Sequence, residues 1–435
     1  MVERNQRERK SSFAGTRPTG RILQRGGLLL MACALAVTAG CGKKPVDQTQ
    51  TQTKLPEAQS PYSGTEVVQA IQKAKPLDYW PTNGWKTAAP EEHGIDSAGL
   101  AAMVDQMKDK NVHSFALVRG GYLLAEGYSR DWDADKRQSV LSVTKSFTSA
   151  LTGMLIEDKI IKSVDQRLRD YFPETASDSK KADISIKNVL TMTSGLEWDN
   201  TGERSSNEMM ESPNWGQYIL ERNVVTEPGS VFKYSNGNAH LMAVLLQKAL
   251  GIPLSSFAKS KLLDPMGIKN VTWGQDPQGV LGGAWGLNLT TRDMAKFGLM
   301  YLHDGKWENE QIVPASWVET LVQPQTKVTY DNGTTGDYGY LMWLKRVAAG
   351  SDASKQHNVF FAAGSGGQRI FVVPDLNLIL AVTADNQKDD FMPEQMLVNT
   401  ILAVKSDQPL PSNDAAVDKL KASLAAFKQT GDQTE

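Results

Sequence analysis

Two hairpin signals stand near opposite ends of this chain, with helical patterning between them. Residues 114–118 and 122–128 are apolar runs joined by Arg119-Gly120-Gly121, and a glycine pair between such runs marks a tight β-turn. Residues 368–373 and 378–383 form a second apolar pair around Pro374-Asp375-Leu376-Asn377. Strands at both ends with helices in the middle predict an α/β (α+β) fold. One antiparallel sheet flanked by helices is built from both ends of the mature chain, and a mostly helical lobe is inserted at about residues 159–337. A site is expected between the two.

The helices follow from apolar periodicity. Asp96 or Ser97 caps a helix running to about residue 110, with Leu100, Met103, Val104 and Met107 on one face. Residues 142–158 read as a long helix carrying Phe147, Leu151, Met154 and Leu155. Further helices are expected over 239–250, 291–303 and 391–404. Folded protein is expected to begin near residue 81 and to run to about 405. The polar tail, 406–435, holds one weak amphipathic stretch (Val417, Leu420, Leu424, Phe427) and is expected to pack loosely.

Of the 435 residues, 40% are hydrophobic and 22% charged, enough apolar content for a sizeable core. A formal net charge of −2 gives no reason to expect nucleic acid as a partner. The two cysteines, Cys33 and Cys41, both lie near the N-terminus, which excludes a disulfide framework and a thiolate metal cluster. The five histidines are scattered, with no pair at helical metal-site spacing. Asp131, Asp133 and Asp135 open like a calcium loop, but Lys136 and Ser142 stand where that loop needs glycine and glutamate. No metal or cofactor is expected, and oligomeric state is not readable.

The N-terminus reads as an address. Arg4, Arg7, Arg9, Arg17, Arg21 and Arg25 precede an apolar run over residues 28–39, then Gly40 and Cys41. A basic region, a short apolar region and small residues before a cut describe a secretory signal, here residues 1–40. A run of about a dozen residues is too short to span a bilayer. Val37-Thr38-Ala39-Gly40-Cys41 resembles a bacterial lipobox, which implies cleavage before Cys41 and its lipidation. Residues 41–80 then read as a flexible tether. The expected location is the cell envelope, anchored to a membrane by lipid. Gly42 after the cysteine points to the outer membrane if the cell is Gram-negative.

Three elements carry chemistry. Ser142-Val143-Thr144-Lys145 places a lysine three residues after a serine at a helix start. Residues three apart share a helix face, so the amine reaches the hydroxyl. First-turn N–H groups and the helix dipole favour a developing anion there. A serine needs a base to become a nucleophile, and a lysine serves only when its pKa falls. Tyr234-Ser235-Asn236 follows Pro228-Gly229. Tyr234 is a candidate proton relay, and Asn236 a holder of either Lys145 or the substrate carbonyl. Gly364-Ser365-Gly366-Gly367-Gln368 leads into a strand, where glycines let a substrate lie against the sheet edge. A backbone N–H from it, with that of Ser142, would make an oxyanion hole.

In this order the three elements resemble the serine β-lactamase and penicillin-binding protein superfamily, in its class C-like branch. Supporting phrases are 189–198 (Val-Leu-Thr-Met-Thr-Ser-Gly-Leu-Glu-Trp) and Glu227-Pro228-Gly229. The resemblance spans about residues 85–404 and implies a β-lactamase/transpeptidase-like fold. It implies Ser142, Lys145 and Tyr234 as catalytic, with either Lys145 or Tyr234 as base. Asn236, Ser365, Gly366 and Gly367 become substrate-binding, and Gly367 supplies the second oxyanion N–H. Gly364 falls where the family's lactamases and peptidases carry lysine or histidine, which argues against β-lactams as substrates. The Gly-x-Gly-Gly-Gln entry is similar to the branch of 6-aminohexanoate-dimer hydrolases and related esterases. The expected activity is hydrolysis of a small ester or amide through an acyl-enzyme. The alternatives are a cell-wall D,D-peptidase or β-lactamase, and a penicillin-binding or sensing lipoprotein with little turnover.

Overall fold

A computed structural model describes residues 61–329, 335–350, 356–386, 389 and 391–431. The expected signal segment and Cys41 lie outside these residues. At the centre is an eight-stranded sheet in which every neighbouring pair is antiparallel. Its strands are β1 (Val112–Arg119), β2 (Tyr122–Tyr128), β3 (Thr326–Thr329), β4 (Thr335–Tyr338), β5 (Trp343–Ala348), β6 (Gln356–Gly364), β7 (Gln368–Val373) and β8 (Leu378–Ala384). The spatial order is β2-β1-β8-β7-β6-β5-β4-β3. The first hairpin therefore joins the last, with Ala116 opposite Ala381. The sheet is built from both ends of the folded chain, as the two hairpin signals imply.

Helices cover both faces. Along β7, Ile370 and Val372 enter one core while Phe371 and Val373 enter the other, the two-residue period of a strand buried on both sides. The near core holds α3 (Thr144–Glu157), α5 (Asn236–Leu250) and α6 (Thr291–Leu302). There Phe147 of α3 stacks on Phe297 of α6, with centroids 3.7 Å apart. The far core holds α2 (Ser97–Asp105), α7 (Met392–Ala403) and α8 (Asp414–Phe427). Asp96 caps α2, accepting from the Ala98 and Gly99 amides.

Three boundaries differ from expectation. The tether does not extend to residue 80: α1 (Gly64–Gln72) is capped by Ser63 and buries Val67 and Ile71, and the Tyr62 hydroxyl donates to Val322 O at 3.0 Å. A valine–isoleucine pair at helical spacing suffices once a groove receives it. The tail does not pack loosely, because α8 lays Leu420 and Phe427 against the far core, Phe427 facing Phe115. The inserted lobe stops before residue 337, since β3 and β4 extend the main sheet. Those strands are too short and polar for their period to register.

Candidate active site

Ser142 sits in a single 3₁₀ turn, Leu141–Val143, just before α3. Leu141 has φ +48°, a left-handed backbone that costs a branched residue about 1–2 kcal/mol. The Thr144 hydroxyl holds this kink by donating to Leu141 O at 2.6 Å. Residues 144–155 of α3 are all buried, whereas Ser142 is half-buried. The hydroxyl is thus presented at the edge of a helix that is otherwise core.

Lys145 follows one turn later and is 2% exposed. Its Nζ donates to Ser142 Oγ at 2.8 Å, to Asn236 Oδ1 at 2.8 Å and to Ala284 O at 3.1 Å. Two of these partners, the amide oxygen and the carbonyl, can only accept. A neutral amine that gives its two hydrogens to them aims its lone pair at Ser142. Burial pushes the lysine down to about 7, while the negative charge of Glu203 opposes the fall. An ammonium with no carboxylate in contact is poorly tolerated in such a place.

The Tyr234 ring lies with its centroid 4.8 Å from Lys145 Nζ and stacks on Trp343 at 5.7 Å. Asn236 opens α5, where Ser235 is the cap and accepts from the Asn238 amide. Of the two roles open to Asn236 in the sequence, its oxygen takes the first and faces Lys145. Its Nδ2 donates to Glu203 Oε2 at 3.2 Å and Ser206 Oγ at 3.0 Å. The 189–198 phrase steadies this segment: Met192 O accepts from the Lys233 amide at 2.8 Å, and Ser194 Oγ donates to Asn238 Oδ1 at 2.8 Å. Trp198 is buried against Gly237.

The glycine motif is a hairpin tip, not the start of one strand. β6 ends at Gly364, Ser365–Gly367 make a 3₁₀ turn, and β7 begins at Gln368. A Cβ on Gly364 would lie 3.1 Å from Ser142 N and 2.5 Å from Val140 O. Gly364 is therefore the residue whose missing side chain lets the strand approach Ser142. Gly367 is not: a Cβ there would meet Ala384 and Pro393 at 3.1 and 3.3 Å. Its α-carbon faces the next strand and α7. Ser365 is exposed beside Gly364, and Gly366 is buried with its carbonyl accepting from the Asn386 amide at 2.9 Å. From the far face Arg369 donates to Gly364 O at 2.8 Å and to Glu394 Oε1 at 2.9 Å.

β5 begins at Trp343, opposite Phe361, so residues 362–364 of β6 run beyond that pairing as an edge. Ala362 and Gly364 share the near face of that edge by strand alternation, and neither carries charge.

Sequence reasoning missed Glu203, Ser206 and the Ala284 carbonyl. Glu203 and Ser206 lie in a polar stretch where no pattern marks them, and a backbone oxygen leaves no trace in side-chain identity.

A family model described as Beta-lactamase matches residues 96–404. The 6-aminohexanoate-dimer hydrolase of Paenarthrobacter ureafaciens is 25% identical over 256 residues, covering 54% of this chain and 64% of that protein. The D-alanyl-D-alanine-carboxypeptidase/endopeptidase AmpH of Escherichia coli (strain K12) is 25% identical over 190 residues, covering 42% and 48%. The chain thus spans about half to two thirds of the length of these relatives. Among solved structures, a family VIII carboxylesterase superposes with a TM-score of 0.59 at 16% identity, covering 73% of this chain and 98% of the other, a likeness of fold.

Proposed function

Because the chain belongs to the beta-lactamase family, we propose that it is a serine hydrolase that cleaves an ester or amide of a small substrate through an acyl-enzyme on Ser142. One observation carries this reading. The buried Lys145 amine, held near neutral pKa, lies 2.8 Å from the Ser142 hydroxyl.

In the first step Ser142 Oγ bonds to the substrate carbonyl carbon and its proton passes to Lys145 Nζ. The carbonyl oxygen becomes an oxyanion between two backbone N–H groups, Ser142's and Ser365's. The assignment to Ser365 follows from the trans peptide after Gly364. Its C=O turns to Arg369 on the far face, so the N–H across that planar unit points the opposite way, toward Ser142. Each such donor is worth about 3–4 kcal/mol in comparable enzymes. The tetrahedral species collapses and the leaving oxygen or nitrogen takes a proton through Tyr234, which Lys145 replenishes. Water then attacks the acyl carbon, gives its proton to the same pair, and releases the acid and Ser142.

Ala362 and Gly364, the described near-face residues of the β6 edge, offer no cation to a substrate carboxylate. Carboxylate-bearing β-lactams and D-Ala-D-Ala peptides are therefore disfavoured against neutral esters and amides. Turnover of p-nitrophenyl butyrate and covalent labelling by a fluorophosphonate are expected in the native chain and absent in Ser142→Ala. Labelling of Ser142→Ala at the native rate would end the reading, and nitrocefin cleavage outpacing the ester would redirect it to lactams. Activity should rise as pH passes about 7 and Lys145 loses its proton.

The address motif motivates a second part of the proposal: the protein is exported and anchored to a membrane through lipid on Cys41. Metabolic labelling with an alkyne fatty acid should mark the native chain and not Cys41→Ser, and equal labelling of both would refute it.

A further inference from the structure

Asn236 Oδ1 directs one Lys145 hydrogen, so the orientation of this amide decides whether the amine faces Ser142. An amide can flip and present its NH₂ group instead. What prevents the flip lies outside the three motifs, on the segment running from Asp199 into α4 (Arg204–Glu211).

That segment grips the Tyr-Ser-Asn motif at both ends. Asn200 Nδ2 donates to Tyr234 O at 2.9 Å. Two residues along the motif, Asn236 Nδ2 donates to Glu203 Oε2 and Ser206 Oγ, at 3.2 and 3.0 Å. The Ser206 hydroxyl donates in turn to Glu203 Oε2 at 2.9 Å, closing a triangle. A carboxylate accepts and never donates when ionised, so only the NH₂ side of Asn236 fits against it. The oxygen is left for Lys145.

The backbone supports a built arrangement. Gly202 and Glu203 are consecutive left-handed residues, with φ +56° and +55°. A glutamate in that conformation is strained, and strain of this kind persists where surrounding contacts over-determine it. Local contacts hold the loop: the Ser205 amide donates to Asp199 O at 3.1 Å, and the Asp199 amide to Ser205 Oγ at 2.9 Å.

We propose that Glu203, with Ser206, is a positioning residue that locks the Asn236 amide with its oxygen toward Lys145. The inference rests on the reading of Ser142 and Lys145 as nucleophile and base. The other charged groups around the loop are Asp199, paired with Arg204 at 3.0 Å and facing Lys233, and Glu208, which accepts from the Tyr218 hydroxyl. Around the amine itself stand Ser142, Asn236, the Ala284 carbonyl and the Tyr234 ring.

Glu203→Gln and Glu203→Ala separate geometry from charge. Gln keeps an acceptor for Asn236 Nδ2 and removes the charge, whereas Ala removes both. With p-nitrophenyl butyrate across pH, Glu203→Ala should lose about tenfold in kcat with a smaller change in KM, the scale of a hydrogen bond near a charged group. Glu203→Gln should keep most of kcat. In both, the acid limb of kcat/KM should move to lower pH, because the carboxylate favours the protonated lysine. A merely structural loop residue would leave that limb in place. Native kcat in Glu203→Ala, equal losses in the two variants, or an unmoved limb in Glu203→Gln would each overturn the proposal. If Ser142→Ala still takes the fluorophosphonate, the catalytic reading fails first. If it does not and the Glu203 results are negative, this inference alone fails.

Discussion

Lys145 and Arg369 are two buried cationic side chains set against opposite sides of one glycine turn, and they are handled in opposite ways. Lys145 meets a hydroxyl, an amide oxygen and a carbonyl, with no carboxylate among the described residues bonded to it. Arg369 is 4% exposed, is paired with Glu394 at 2.9 Å, and holds the Gly364 carbonyl. Arginine keeps its proton in any protein setting, and an adjacent carboxylate secures it further. A lysine surrounded by neutral acceptors gives its proton up. In the proposed reading the same sheet edge therefore has a reactive side and a scaffolding side, and the distinction lies in what each side chain is paired with.

The strongest way to break this contrast is at Lys145. Lys145→Ala and Lys145→Arg should both lose about 10²–10⁴-fold in kcat/KM, the usual worth of a general base, and both should stay folded by circular dichroism. Arginine fails because it cannot take the proton. An active Lys145→Arg enzyme would show that the amine is scaffolding too.

On the other side, Glu394→Ala removes the carboxylate that accepts from Arg369 Nε in the far core. A loss of about 3–5 kcal/mol in urea unfolding is expected. Replacing the pair together, as Arg369→Met with Glu394→Leu, should recover much of it. Unchanged stability in Glu394→Ala would mean the pair does not anchor the turn.

The turn itself is tested by two glycines. In Gly364→Ala the new methyl meets backbone at Val140 and Ser142. Displacement on the order of 1 Å at the nucleophile is worth about a hundredfold in rate. Gly367→Ala, at φ +101°, should lower the melting temperature and affect turnover less. The reverse ranking would favour the Gly367 N–H over that of Ser365 as the second oxyanion donor.

The last test is a pH dependence of stability. The folded-state pKa of Lys145 is about 7 against 10.5 for a free lysine. Between those values the unfolded chain holds the extra proton. The burial cost is thus fully present below about pH 7 and fades as pH climbs toward 10.5, with a slope of up to about 1.4 kcal/mol per pH unit. Lys145→Met should be more stable than the native chain at neutral pH, with the gap narrowing toward pH 10. A gap independent of pH would mean Lys145 titrates as an exposed lysine does.

Much of this was legible in the chain itself. Ser142 and Lys145 are three residues apart on a helix, so their contact is local and spacing alone implies it. The hairpins at 114–128 and 368–383 announce themselves by glycine or turn residues between apolar runs, and Asp96 is visible as a cap. Boundaries set by weak patterns were not legible: α1, α8 and the strands β3 and β4 are stable only because a preformed core receives them.

What the sequence alone determined is therefore the local geometry: hairpins, the helix that brings Ser142 and Lys145 together, and the residue types that the proposed acyl transfer needs. Only the tertiary structure decided which glycine approaches Ser142, that Asn236 turns its oxygen to Lys145 while its Nδ2 meets Glu203 and Ser206, and that a backbone carbonyl completes the lysine's surroundings. The reason is physical. Spacing along a helix or strand is fixed by backbone geometry. The desolvation and pairing that set a lysine's proton affinity arise from segments far apart in the chain, and exist only once they have packed together.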